Sequence, residues 1–212
     1  MTSVRNNAMF SDMSRTSLTQ QIKQFAEALP EGKGLSAKSL LHLGNRAAVD
    51  QALSRLARHG KLLRVERGLY TKPIATRFGI RAPSVPLVLE NLSEKTGETI
   101  APHGAAAANA LGLTTQVPVR QVYLTSGRSR RLMLGKQTIE LRHAPGWQLT
   151  LPGRRAGEAI RALTWLRNHG GRESVTQIVK SLPPGERREL LQARTRLPNW
   201  LAEEVSSPVA HG

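Results

Sequence analysis

Between Leu35 and Lys72 the apolar residues recur with two different periods, and the change of period marks out consecutive elements. Val49, Ala52, Leu53, Leu56 and Ala57 fall on one side of a helix, so their spacing predicts a helix from about Arg46 to His59, capped by Asn45 and ended by Gly60. Before it, Ser36 can cap a shorter helix carrying Leu40 and Leu43, with Leu35 and Leu40 as a hydrophobic staple and Gly44-Asn45 as the turn between the two helices. After it the period drops to two. Residues 61–65 and 69–71 read as strands around Glu66-Arg67-Gly68, a turn whose glycine can supply positive φ. Upstream, residues 17–20 have the form of a capping box, and Leu18, Ile22, Phe25 and Leu29 form an apolar stripe that stops at Pro30. Two helices joined by a tight turn, a hairpin, and a third helix to close the core make a winged helix-turn-helix.

Beyond residue 75 the pattern resets. Arg77, Arg81, Pro83 and Pro86 stand in a stretch with little apolar periodicity, read as a linker or an extended crossing strand over residues 76–86. Leu87, Leu89 and Leu92 then begin a short helix closed by Gly97, and residues 105–111 form an alanine-rich helix ended by Gly112, whose small side chains imply close contact with a neighbour. Residues 118–125, 132–134 and 137–142 are β-rich and separated by Ser126-Gly127 and Gly135-Lys136, which predicts an antiparallel meander. Helices follow at about 157–168, 174–182, from Pro184, and from Pro198. The expected class is α+β: a mobile tail at 1–15, a winged helix-turn-helix at 16–75, a linker at 76–86, a mixed domain with a small antiparallel sheet and several helices at 87–205, and a tail at 206–212. Trp147, Trp165 and Trp200 sit among aliphatic residues, as core tryptophans do.

Charge adds a partner to this picture. Lys and Arg number 31 against 15 Asp and Glu, a formal net charge of +16, and basic side chains outnumber acidic ones in each third of the chain. A polyanion is the natural partner, and a membrane surface fits less well because no basic amphipathic helix has an aromatic face. On the predicted second helix Ala47, Gln51, Ser54, Arg55 and Arg58 fall opposite the apolar side, behind Asn45 and Arg46 at its start, which suits a helix lying in the major groove of DNA. Arg64, Arg67 and Lys72 on or beside the hairpin, with Arg77 and Arg81 after it, would meet the phosphate backbone. The competing reading is a protein-interaction module with a solvated arginine face.

Catalytic chemistry is thinly supplied. Asp12 and Asp50 are the only aspartates, and neither phosphate-binding nor dinucleotide-binding glycine patterns occur, so metal-dependent nucleotidyl transfer has little to build on and neither an enzyme nor a cofactor is expected. Cysteine is absent, which excludes disulfides and thiolate zinc sites and fits a cytoplasmic protein. His42, His59, His103, His143 and His169 are scattered without ligand spacing, so no metal is expected; His103, at the mouth of the alanine-rich helix, is either a capping residue or a functional one. Arg128, Arg130 and Arg131 form the densest basic cluster outside the first domain, with Glu140 as the acidic residue of the adjoining hairpin, and should face solvent or a phosphate-bearing partner.

The run His103-Gly104-Ala105 through Leu111-Gly112-Leu113 to Gln116 and Pro118, followed by Tyr123-Leu124-Thr125-Ser126-Gly127-Arg128-Ser129-Arg130 and preceded by a hairpin ending in Gly68-Leu69-Tyr70, resembles the AbiEi-like family, antitoxins of bacterial type IV toxin-antitoxin systems linked to abortive phage infection. The resemblance spans about Ser17 to His143 and leaves the last seventy or so residues unmatched. It implies an N-terminal domain that binds inverted repeats in its own promoter and represses the operon, and a C-terminal domain that opposes a nucleotidyltransferase-like toxin without a stable complex; a monomer or weak dimer on DNA is the expected state. A stand-alone winged-helix regulator and a basic RNA-binding protein are the alternatives.

Overall fold

In a computed structural model that describes residues 16–115, 119–167 and 174–210, the chain divides by its own contacts into two units: residues 1–95 with 133–137, and residues 96–132 with 138–212. The tail expected at 1–15, the Gln116-to-Pro118 part of the motif, and the helix end expected at Asn168 lie outside the described residues, as does His169. The class is α+β. Among the described residues no helix is long and apolar enough to cross a membrane.

In the first unit, Ser17 accepts a hydrogen bond from the Gln20 amide (3.3 Å) and starts α1, Leu18–Ala28, whose Ile22 is fully buried. Strand β1 (Gly34–Leu35) leads into a single 3-10 turn at Ala37–Leu40, shorter than the α-helix expected there. Ser36 and Ser39 close this turn on each other, Ser39 Oγ donating to the Ser36 carbonyl (2.8 Å) and accepting from its amide (3.2 Å). Helix α2 (Arg46–Arg58) begins where the Asn45 side chain accepts from the Ala48 amide (2.9 Å) and ends at Gly60, whose φ of 68° reverses the chain. Strands β2 (Leu63–Glu66) and β3 (Leu69–Thr71) turn at Gly68, φ 76°. The sheet order is β1-β3-β2, antiparallel throughout, with a bulge between Arg64 and Glu66. Ile22, Leu35, Leu40, Val49, Leu53, Leu56, Leu62 and Tyr70 form one core from α1, β1, the 3-10 turn, α2, the approach to β2, and β3.

The stretch expected as a linker is instead a hairpin, β4 (Ile74–Thr76) and β5 (Gly79–Arg81), and the helix after it, α3 (Val85–Thr96), packs with the first unit rather than opening the second. Glu31 is the reason. Its carboxylate accepts from Arg81 Nη1 and Nη2 (2.9 and 3.2 Å) and from the Ser84 amide at the start of α3 (2.8 Å), while Lys33 pairs with Glu94 at 3.3 Å. Gly32 lies so close to α3 that a Cβ there would stand 2.9 Å from the Leu87 carbonyl carbon. Val88 and Leu92 on the buried side of α3 meet Val65 and Leu69 around a residual void of about 10 Å³. Polar contacts between residues fifty positions apart leave no mark in local periodicity, which is why the boundary read from sequence falls some twenty residues early.

The second unit holds a four-stranded sheet and a helical layer. β6 (Ile100–Pro102), β7 (Gln121–Thr125), β8 (Arg130–Leu134) and β9 (Gln137–His143) are arranged in the order β6-β7-β9-β8. β6 pairs antiparallel with β7, but β7 runs parallel to β9, so the expected antiparallel meander is corrected to a mixed sheet. Helix α4 (Gly104–Ala110) buries Ala107 and Ala108 against Ala162 of α5 (Arg155–Arg167), the close contact that its alanines predict. The other side of α5 joins α6 (Ser174–Ser181), α7 (Pro184–Ala193) and α8 (Asn199–Ala210) around Ile160, Leu163, Ile178, Leu190, Leu201 and Val205. Trp147 and Trp200 meet edge to face at 6.3 Å on the border of that core. α8 continues through residues 206–210, where a tail was expected.

Arg81 and the Ser84 amide, in that order, hold the Glu31 carboxyl below its ordinary value of 4.5. A carboxyl so lowered adds stability that is fully present above 4.5 and is lost as pH falls through its folded value. Glu31→Gln should therefore lower the thermal midpoint at pH 7, and the gap to the wild type should close as the pH of the melt is taken below 4.5; a gap independent of pH would mean that the carboxylate charge is not what holds α3.

Candidate nucleic-acid interface

The surface of α2 is built by its two-sided composition. Val49, Ala52, Leu53 and Leu56 are buried, and this rotation of the helix turns Ala47, Gln51, Ser54, Arg55 and Arg58 outward into solvent, with Asn45 and Arg46 exposed at its start. Ala47 leaves the first turn free of bulk. Gln51 follows one turn later, and Arg55 and Arg58 occupy the last turn, where their charge also complements the helix dipole. The β2–β3 hairpin sets Arg64 and Arg67 in solvent directly after that helix. Ser54 Oγ lies 3.4 Å from Tyr70 Oη, so α2 and β3 are linked across the base of this surface.

Partners separate these cations into two groups. Arg46 pairs with Asp50 one turn on (3.1 Å), Lys72 donates to the Glu27 carbonyl (2.8 Å), Arg81 is held by Glu31, and Arg77 lies over the Phe78 ring at 4.6 Å. Among the described residues Arg55, Arg58, Arg64 and Arg67 have no such partner. An anionic surface reaching α2 and the hairpin would meet these four without first breaking an ion pair. Arg81 is the opposite case, a structural strut whose removal from Glu31 would loosen α3.

Sequence reasoning passed over Lys61, exposed between α2 and β2, and the tip of the β4–β5 hairpin, where Phe78 is 86% and Ile80 73% exposed. The hairpin had a local signal in Gly79, whose φ of 113° fits a tight turn between Ile74 and Arg81.

In the second unit the predicted basic cluster does not hold together as a solvent-facing patch. Arg128 and Arg131 are exposed, but Arg130 is 12% exposed and pairs at 2.9 Å with Glu98, itself 20% exposed. Thr125 Oγ1 donates to the same carboxylate at 2.9 Å and accepts from the Gly127 amide at 3.0 Å, while the His143 ring lies 2.8 Å from the Gly127 carbonyl. The expectation that all three arginines face solvent is therefore corrected for Arg130. Its carboxylate partner lies 32 residues upstream, beyond the hairpin in which Glu140 was the acid considered. Glu140 pairs with Arg142 at 3.1 Å. His103 caps α4, its Nδ1 accepting from the Ala105 amide at 3.3 Å. Among the described residues no group of three or more His, Asp or Glu could hold a metal ion.

A family of unknown function, DUF6088, matches this chain over residues 21–189. No curated protein and no solved structure matches it.

Breaking a largely buried pair from one side leaves a desolvated charge behind. Arg130→Ala should lower stability by about 2 to 3 kcal/mol, since Glu98 would keep its burial without its cation. Arg128→Ala and Arg131→Ala should each stay within about 0.5 kcal/mol of wild type. Chemical denaturation of the three single variants distinguishes the cases, and equal effects would mean that Glu98 does not discriminate among them.

Proposed function

We propose that this chain, which belongs to the DUF6088 family, is a transcriptional regulator whose first unit is a winged helix-turn-helix that reads DNA through α2. The observation that carries the reading is the order of Ala47, Gln51, Arg55 and Arg58 along one exposed face of α2, with Arg64 and Arg67 exposed on the hairpin that follows. A groove-reading helix needs a small first turn for close approach, an amide that can bond a base edge in two places, and guanidinium groups further along; Ala47, Gln51, Arg55 and Arg58 supply these in order. Arg64 and Arg67 then take phosphates, positioning the helix without reading sequence. Asn45 at the start of the helix and Ser54 between Gln51 and Arg55 add polar groups to the reading face. The net charge of +16 supports a polyanionic partner in general but does not separate DNA from RNA; the helix, turn, helix and hairpin order is what favours duplex DNA.

The reading extends to an antitoxin that represses its own operon through inverted repeats and opposes a nucleotidyltransferase-like toxin without stable binding. Its support is the AbiEi-like resemblance in the stretches from His103 and from Tyr123, which fall in the second unit.

Base reading and backbone holding have different signatures, so one titration series tests both. Gln51→Ala or Arg55→Ala should reduce the preference for operator over random duplex by about 1 to 3 kcal/mol for each lost base contact. Arg67→Ala should instead weaken all duplexes alike and flatten the slope of log affinity against log salt by about one. If the Gln51 and Arg55 variants keep full discrimination, α2 is not the reader. The antitoxin extension is checked by the neighbouring gene: a nucleotidyltransferase-like reading frame whose toxicity this chain relieves is expected, and failure to relieve it leaves a regulator alone.

A further inference from the structure

The β4–β5 hairpin ends in two residues that the fold does not use. Thr76 pairs with Gly79, so Arg77 and Phe78 alone make the loop, and Phe78 is 86% exposed. Ile80, two positions on and next to Ala75 on the facing strand, is 73% exposed, and residues 75–81 all stand in solvent. Apolar residues scattered singly over a surface call for no explanation, but here an aromatic ring sits at the point of a projecting arm with an aliphatic side chain behind it. The arm is also held stiff. Thr76 Oγ1 donates to the Gly79 carbonyl (2.8 Å) and accepts from the Phe78 amide (3.2 Å), which clasps the loop, and Arg81 at the far end of β5 is fixed by Glu31 and by the Ala82 carbonyl (2.9 Å). A tip ordered in advance loses little entropy on entering a partner.

The charges around this arm are mostly positive. Arg77 lies over the Phe78 ring at 4.6 Å, a contact that leaves its N–H groups without a hydrogen bond or ion pair among the described residues. At the base of the arm Ala75 and Ile80 share a groove of about 460 Å³ with Gly60 and Lys61, the residues that follow α2, and with Lys23 and Glu27 of α1. Glu27 is paired with Lys23 at 3.5 Å, whereas Lys61 is exposed and has no hydrogen bond or ion pair among the described residues. The arm and the end of α2 therefore stand side by side within the first unit.

We propose that β4–β5 is a second DNA contact of this protein, a ribbon whose tip enters the minor groove and wedges the Phe78 ring between base pairs, with Arg77 beside it between the two rows of phosphates. The proposal rests on the reading of the first unit as a binder of duplex DNA, and it adds a contact that deforms the duplex instead of reading base edges. A duplex supplies what this tip matches, an apolar slot between stacked bases flanked on both sides by anions. One ring and one cation suffice for a wedge. A stable protein interface takes about 20–30 residues on each side, and the apolar part of this arm comprises Phe78, Ile80 and Ala75. A second copy of the chain is disfavoured further, since each copy carries a net +16. Entry is favoured at A·T-rich sequence, where no guanine amino group stands in the minor groove and pyrimidine–purine steps unstack easily.

The fluorescence of 2-aminopurine, which rises when the base unstacks, tests the wedge on the full chain, with a short duplex of alternating A and T carrying that base as the probe. The wild type should bind the duplex and raise the signal. Phe78→Ala, at a position too exposed to disturb the fold, should keep the wild-type thermal midpoint, bind the duplex about tenfold more weakly and lose the rise at saturation. Phe78→Leu, which keeps an apolar wedge, should retain part of the rise. Arg55→Ala, on α2, should weaken binding but give the full rise once the duplex is saturated. The wedge is overturned while the reading of α2 stands if the wild type binds the duplex without a rise, or if Phe78→Ala raises the signal as much as the wild type does. A wild type that binds no duplex overturns both. A Phe78→Ala variant that binds and unstacks the duplex normally, but sediments as a smaller species than the wild type, overturns the wedge and makes the tip a contact between two copies of the chain.

Discussion

Fifteen carboxylates cannot pair thirty-one cations, and in this chain the position of each carboxylate decides what the arginine beside it is for. Glu31 fastens Arg81 and the start of α3 to the first unit. Glu98 takes Arg130 into the second unit with Thr125. Glu189 and Glu186 both bind Arg154 just ahead of α5, and Glu186 also accepts from the Ala156 amide (2.9 Å) at the start of that helix. These arginines are structural, although Arg130 lies in a cluster that reads from sequence as a solvent-facing patch. The same shortage leaves α2 and its hairpin with four arginines uncommitted, and leaves Arg161 with one long hydrogen bond.

The distribution also explains which parts of the molecule local pattern could reveal. α2 was legible because its cap, its apolar face and its terminal glycine lie within sixteen consecutive residues, and each is satisfied by a neighbour within one turn. The β2–β3 turn was legible for the same reason, through Gly68. Their outward residues followed automatically, since fixing the buried side of a helix fixes the other. Most of the proposed reading face therefore comes from the sequence unchanged.

What local pattern missed is long-range and polar. α3 has an apolar side that fits any surface, and the polar contacts of Glu31 and Lys33, fifty or more residues away from their partners, fix which unit it joins. The β7–β9 pairing is parallel, so the two strands cannot be joined by a tight turn, and the hairpin signals around them point to the neighbour in sequence instead of the neighbour in space. Arg161 sits in a stretch whose apolar spacing, Ala159, Ile160 and Leu163, is read from one side of the helix. The opposite side also packs, on Ala107 and Ala108, and an arginine that alternation assigns to solvent is thereby enclosed.

An arginine without a partner carries different weight in the two settings. On α2 water solvates the guanidinium as well as a carboxylate would, and an exposed ion pair adds only about 0 to 1 kcal/mol, so leaving Arg55 or Arg67 unpaired costs the fold almost nothing. Their exposure alone therefore says little; the reading rests on their order along one face and on the hairpin that follows. Inside the second unit the balance reverses, because water cannot reach the Nε and Nη2 edge of Arg161 and the penalty for a desolvated, uncompensated charge is several kcal/mol. Methionine or leucine at position 161 would fill α5 without that penalty.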